Sequence, residues 1–179
     1  MTAHRCGAGG VHRARRVSVL ALTAAAIVVA DQTTKTLAVH RLSNGPIHLF
    51  GSLSLALSFN SGVAFSIGTG RTTPIVVISA LLVVVLVWFG RGAPSYPAAI
   101  GTGMILGGAL GNLADRVFRG HSGAVVDFIH TGVWPTFNVA DVAIVGGVIV
   151  LFLVFWRQVG RSRAVGRGRG GRRVLRWRR

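Results

Sequence analysis

The stretch Ile75-Val76-Val77-Ile78-Ser79-Ala80-Leu81-Leu82-Val83-Val84-Val85-Leu86-Val87-Trp88-Phe89 runs for fifteen positions without a charged side chain. Extended modestly at its ends, it approaches the roughly 20 residues needed to cross about 30 Å of hydrocarbon. Three more runs share this character: Val17 to Ala30, Ala98 to Ala114 and Val142 to Trp156. The chain therefore reads as an all-α membrane protein of four transmembrane helices. The first run follows Arg13, Arg15 and Arg16 and ends in small residues, as secretory signals do. Three later spans favour a retained anchor. Between the second and third runs, Gly90, Gly92, Pro94 and Pro97 make a short turn that suits an antiparallel helix pair. In the third run Gly101, Gly103, Gly107, Gly108 and Gly111 would let neighbouring helices approach closely in lipid.

Charge divides the chain further. The formal net charge is +16, but ten of the twenty basic residues lie between Arg157 and Arg179. That places a basic head at residues 1–16, a membrane domain at 17–156 and an arginine-rich tail at 157–179. The tail is expected to be disordered or to lie against anionic lipid headgroups. No interleaved aromatic platform favours nucleic acid there. With both termini in the cytoplasm, the inner flanks hold fifteen Lys and Arg and the outer flanks five: Lys35, Arg41, Arg71, Arg116 and Arg119. Positively charged flanks are retained inside, so both termini are expected there.

The acids are scarce: no Glu, and four Asp at 31, 115, 127 and 141. Each lies in or beside an apolar stretch, where a carboxylate is costly and marks function by default. In the expected topology, helix 1 ends at the outer face with Asp31, helix 3 ends there with Asp115, helix 4 begins there with Asp141, and Asp127 lies in the loop between. All four then gather at one membrane boundary. Unrelated helix caps or ion pairs are the plainer alternative.

Several local patterns refine this picture. Ser52 to Phe59 alternates small or polar residues with large apolar ones, the period of a strand with one apolar face. Asn112, Asp115 and Arg116 are three and four apart and share a helical face. Asp127 follows two valines and precedes Phe128 and Ile129, a setting that raises a carboxyl pKa. Asp141 opens a helix, where the dipole favours a negative charge. Two carboxyls with opposed biases can divide the roles of acid and base. Asp141 as a simple helix cap is the competing reading.

Other chemistries fit less well. One cysteine, Cys6, builds no disulfide or multi-cysteine metal site. The six histidines form no HExxH pattern, which disfavours a zinc peptidase. Lys35, the only lysine, stands four residues after Asp31 and reads as its ion-pair partner instead of a catalytic base. An ion-coupled transporter would spread its acids through the bilayer depth. An assembly factor would need the packing glycines alone.

Five stretches in order resemble the lipoprotein signal peptidases, or signal peptidase II. They are Asp31-Gln32-Thr33-Thr34-Lys35, Asn60-Ser61-Gly62-Val63-Ala64-Phe65-Ser66, Gly107 to Arg116, Val125-Val126-Asp127-Phe128-Ile129 and Phe137-Asn138-Val139-Ala140-Asp141. The resemblance covers roughly residues 17 to 156. It implies that Asp127 and Asp141 are a catalytic pair and that Asn60, Gly62, Asn112, Arg116 and Asn138 line the substrate site. It implies too that Asp31, Lys35 and Asp115 organise the surrounding fold, and that the outer loop forms a small extracytoplasmic β-sheet subdomain. The implied activity is aspartic endopeptidase cleavage of diacylglyceryl-modified prolipoproteins before the lipidated cysteine. It would occur at the outer face of the bacterial cytoplasmic membrane, with membrane lipids as the other partner and no metal or organic cofactor. The connection from Asp115 to Asp127 is a few residues longer than the family's shortest forms, and Val63 stands where alanine is more usual.

Overall fold

The computed structural model describes residues 6–61 and 72–170, with side chains for 10–61 and 73–160. Its elements in chain order are α1 (Cys6–Arg41), β1 (Ile47–Phe50), β2 (Leu53–Asn60), α2 (Thr72–Gly90), α3 (Tyr96–Phe118), β3 (Val125–His130) and α4 (Val139–Gly170). All four helices are long and apolar enough to cross a membrane.

Each expected span is found, but the boundaries differ. Helix α1 does not end at Asp31 and continues ten residues to Arg41. Hydropathy falls at Asp31, yet the backbone stays helical because Asp31 and Lys35 pair one turn apart. Helix α3 passes Asp115 to end at Phe118, and α4 starts at Val139, two residues before Asp141. Helix α4 also outruns its apolar stretch to reach Gly170, so the first part of the arginine-rich segment is helical instead of unstructured.

The central helix is α3, packed against α1, α2 and α4. It starts cleanly: Ser95 is its N-cap, accepting from Ala98 N at 3.3 Å, and Pro97 occupies the first turn. Its glycines serve two opposite contacts. A Cβ on Gly103 or Gly107 would lie 2.7 Å from a carbonyl oxygen of α1, at Leu20 and Ala24 respectively. A Cβ on Gly108 would lie 2.5 Å from Ala140 O of α4. Large apolar side chains of α2 and α4, including Ile78, Leu81, Val84, Trp88, Phe152 and Phe155, point outward. In a bilayer these are the lipid-facing surface.

This packing carries a direct expectation. Gly108→Ala should lose about 1–3 kcal/mol, because the obstructing atom is a backbone carbonyl that cannot rotate away. Gly146→Ala meets only the methyl end of Met104 at 2.9 Å and should be tolerated. Thermal midpoints of the two purified variants test the difference, and equal midpoints would refute it.

The strands form one antiparallel sheet in the order β1-β2-β3. The alternating segment predicted over Ser52 to Phe59 is β2, but its period is broken by a register shift between Leu55 and Ser58. Leu55 and Leu57 pack with Ala38, Leu42 and Phe128 against the extension of α1. Beyond the irregularity Phe59 turns outward, 46% exposed, with its ring 4.6 Å from that of His121. Asp127, expected in a loop, belongs to strand β3. The segment Gly62 to Ser66 lies outside the described residues.

Candidate active site

Asp127 and Asp141 meet through one residue, Asn138. The chain after β3 turns back and bridges Phe137 to Ile129, with Ile129 N donating to Phe137 O at 2.9 Å and Phe137 N to Ile129 O at 3.1 Å. This pins Asn138 beside β3. Asn138 is then the residue before the first turn of α4, and it forms a reciprocal cap with Asp141. Asp141 N donates to Asn138 Oδ1 at 3.0 Å, and Asn138 N donates to Asp141 Oδ2 at 3.2 Å. The amide of Asn138 is left to donate from Nδ2 to Asp127 Oδ1 at 2.6 Å and to Asn112 Oδ1 at 3.2 Å.

The other oxygens are held by two more asparagines. Asn112 Nδ2 donates to Asp141 Oδ1 at 2.9 Å. Asn60 Nδ2 donates to Asp127 Oδ2 at 3.1 Å. The sheet register explains the second contact: Ser58 is opposite Asp127, and Asn60 is two residues on, within diagonal reach. Burial pushes the Asp127 carboxyl above its ordinary range and the nearby charge of Asp141 adds to this, while the bonds from Asn60 and Asn138 oppose it.

Beneath this pair lies an ionic layer centred on the fully buried Lys35, Asp31 and Asp115. Lys35 Nζ contacts Asp31 Oδ2 at 2.8 Å, Asp115 Oδ2 at 2.9 Å and Asn112 Oδ1 at 2.9 Å, which occupies all three ammonium hydrogens. The two buried acids reach onward to the backbone. Asp31 Oδ1 accepts from Ala140 N at 2.9 Å, and Asp115 Oδ2 accepts from Val126 N at 3.1 Å. Each thus holds the residue immediately preceding Asp141 or Asp127. A Cβ on Gly111 would intrude to 2.5 Å from Asp31 Oδ2, so this layer also needs a glycine on α3.

Asn112, Asp115 and Arg116 do belong to one polar layer, but they divide between its parts. Asn112 faces Asp141, whereas Asp115 turns toward α1 and β3. Arg116 donates from Nη1 to Asn112 O at 3.3 Å, and its buried Nε has no partner among the described residues. Its charge interacts with Asp115, Asp127 and Asp141. Gly62 lies outside the described residues.

Two members of the ionic layer were not singled out from sequence. Arg119 donates from Nε to Asp115 Oδ1 at 2.8 Å and from Nη2 to Gln32 O at 3.1 Å. Gln32 Nε2 donates to Asp115 Oδ1 and Gly111 O, both at 3.0 Å. The spacing of Asp115 and Arg119, four apart on a helix, was the available signal. A third omission is an apolar groove of about 490 Å³, lined by Trp134, Phe137, Asp141, Val142, Val145, Gly146 and Ile149. Its α4 members lie on one helical stripe, and Val142, Val145 and Ile149 are each more than half exposed. The groove opens sideways from Asp141 onto the lipid-facing surface of α4.

Comparison with known proteins agrees with this architecture. The signal peptidase (SPase) II family profile matches residues 23–157. The lipoprotein signal peptidase of Mycobacterium avium (strain 104) is 46% identical over 145 residues, covering 78% of this chain and 80% of the relative. That of Mycobacterium tuberculosis (strain ATCC 25618 / H37Rv) is 44% identical over 145 residues, covering 78% and 72%. A solved bacterial membrane enzyme structure obtained by the in meso method superposes with a TM-score of 0.70 at 28% identity, covering 80% of this chain and 91% of that one. With a profile match spanning most of the membrane domain and relatives of this identity, the chain belongs to the signal peptidase II family, the lipoprotein signal peptidases.

Proposed function

We propose that this protein is an aspartic endopeptidase that removes signal peptides from diacylglyceryl-modified prolipoproteins, cleaving before the lipidated cysteine, with Asp127 and Asp141 as the reacting pair. The observation that carries this reading is the convergence of the two carboxylates on Asn138. Asp127, which burial keeps protonated more readily, donates a hydrogen bond to the scissile carbonyl. Asp141 takes a proton from the attacking water. Water oxygen bonds to the carbonyl carbon, and the carbonyl π electrons move to its oxygen. Collapse breaks the C–N bond as a proton passes to the leaving amine. Asn60, Asn112 and Asn138 hold the carboxylate oxygens in place, and the unpartnered Nε of Arg116 offers a donor to substrate. Gly62 is assigned to the substrate site on the family resemblance alone. The apolar groove below Asp141 suits an apolar substrate segment arriving from the bilayer. Protein residues supply every step, with no metal or organic cofactor.

The test is incubation of the purified protein with a precursor whose cysteine carries diacylglycerol and with the same precursor unmodified. Cleavage should appear as a gel shift only for the modified form and should map to the bond before that cysteine. Cleavage of both forms alike would remove the lipid from the recognition scheme.

The reading also places the site at the outer face of the cytoplasmic membrane, with both termini inside. The motive is the fifteen-to-five asymmetry of Lys and Arg between alternate flanks. A reporter fused after Gly70 should signal the outer compartment and one after Gly92 the cytoplasm. Reversed signals would move the carboxylates to the wrong side for exported substrates.

A further inference from the structure

The end of the helical bundle remote from the aspartates carries a second cluster. A cavity of about 440 Å³ lies between the start of α1 and the end of α2, lined by Arg13, Trp88, Phe89, Arg91 and Gly92. Arg13 Nε donates to Arg91 O at 3.1 Å. One turn along, Arg16 Nη1 donates to Pro94 O at 2.6 Å. These two bonds fix α1 against the α2–α3 turn and hold the Arg13 guanidinium at the cavity. Among the described residues its terminal nitrogens meet no acceptor, which leaves them for another.

That acceptor has no source among the acidic side chains. The chain has four, all Asp. Asp31 and Asp115 are engaged by Lys35, and Asp127 and Asp141 by asparagines, at the opposite end of the bundle. The positive charge around the cavity is therefore left for an external anion. Guanidinium groups match the paired oxygens of a phosphate in plane and spacing.

The apolar surroundings narrow the kind of anion. Trp88 and Phe89 meet edge to face, with centroids 4.8 Å apart and planes at 82°. They are 67% and 66% exposed, and such aromatics sit at the level of lipid headgroups. From them an exposed apolar strip of Val85, Val84, Leu81 and Ile78 continues along α2 toward the membrane interior. A soluble anion would use the arginines and leave this strip unused. A phospholipid uses both.

We propose that the cavity between Arg13 and Arg91 binds the phosphate headgroup of an anionic glycerophospholipid, with an acyl chain along the outward face of α2. Bound there, the lipid ties α2, which packs chiefly on α3, to the start of α1. The site requires only that the helices span a bilayer and is independent of the peptidase reading.

The experiment uses the purified full-length protein in nanodiscs of phosphatidylcholine, with or without phosphatidylglycerol. Native mass spectrometry reads retained lipid and a thermal scan reads the midpoint. Phosphatidylglycerol should be retained in preference and should raise the midpoint. Removing both charges, R13Q with R91Q, should weaken retention about twenty-five-fold, taking roughly fivefold per arginine near the headgroups. Because Arg13 also ties down the turn, Arg91→Gln alone is the cleaner variant: the Arg91 side chain makes no hydrogen bond among the described residues. It should lose phosphatidylglycerol preference while keeping its midpoint in phosphatidylcholine. Arg41→Gln, at the other end of α1, should behave as the parent. Unchanged lipid retention in Arg91→Gln, or an equal loss in Arg41→Gln, would overturn the proposal. So would an equal midpoint rise from inorganic phosphate in phosphatidylcholine discs, which would make this a soluble-anion site.

Discussion

Replacing Asp127 or Asp141 by asparagine is expected to reduce cleavage of a diacylglyceryl-modified precursor by about a thousandfold or more, with the protein still inserted and folded. The amide keeps the size of the carboxyl but can neither accept the proton of water nor share one with its partner. On the proposed mechanism both carboxylates act in the same bond-breaking event, so the double variant should be hardly slower than either single one. Stability gives an independent readout at Asp127, whose carboxyl is raised by burial. For a raised acid, the cost of the buried charge is present above the folded pKa and disappears as pH falls toward the unfolded value near 3.8. The parent should therefore gain in thermal midpoint relative to Asp127→Asn as the medium is acidified. Substantial turnover by either variant, at matched amounts of folded protein, would sink the aspartic mechanism.

Lys35→Met is expected to produce the largest loss of folded protein. Lys35 is fully buried and contacts two fully buried carboxylates, so its removal leaves negative charge without its main counterion. Breaking a buried pair in this way costs about 3–5 kcal/mol. Asp115 keeps Arg119 at 2.8 Å, whereas among the described residues Asp31 keeps only the donors Gln32 and Ala140 N. Asp31→Asn should therefore restore part of the stability lost in Lys35→Met, a coupling that a double-mutant cycle reads directly. Alone, Asp31→Asn should lower accumulation more than turnover per folded molecule. Additive losses from the two substitutions would show that the ionic layer is not a unit.

Much of this organisation was legible in the sequence because its signals are local. Four apolar runs announce four spans, and the Asp31 to Lys35 spacing announces their ion pair. The two readings of Asp141, helix cap or member of a carboxyl pair, turn out not to be alternatives. Asn138 is the cap, and the reciprocal bond that completes it also orients Asp141 toward the residues around Asp127. Strand β3 was hidden because Val125 to Phe128 are all buried, leaving no alternation to read. The groove on α4 was hidden for a related reason: a helix apolar on every side shows no preferred face. Gln32 was missed because its partners Asp115 and Arg119 are 83 and 87 residues away, across a helix interface. No periodicity records such contacts.

The sideways opening of the α4 groove changes what concentration means for this enzyme. On the proposed mechanism, a substrate held in the bilayer reaches Asp141 by diffusing in two dimensions, so the encounter rate follows the number of precursors per lipid, not per unit volume. Diluting a membrane suspension with buffer leaves that ratio untouched, whereas adding empty lipid lowers it. Precursors also arrive already oriented, with one rotational axis fixed by the membrane normal, which removes part of the entropic cost that a soluble peptidase meets in capturing a free peptide.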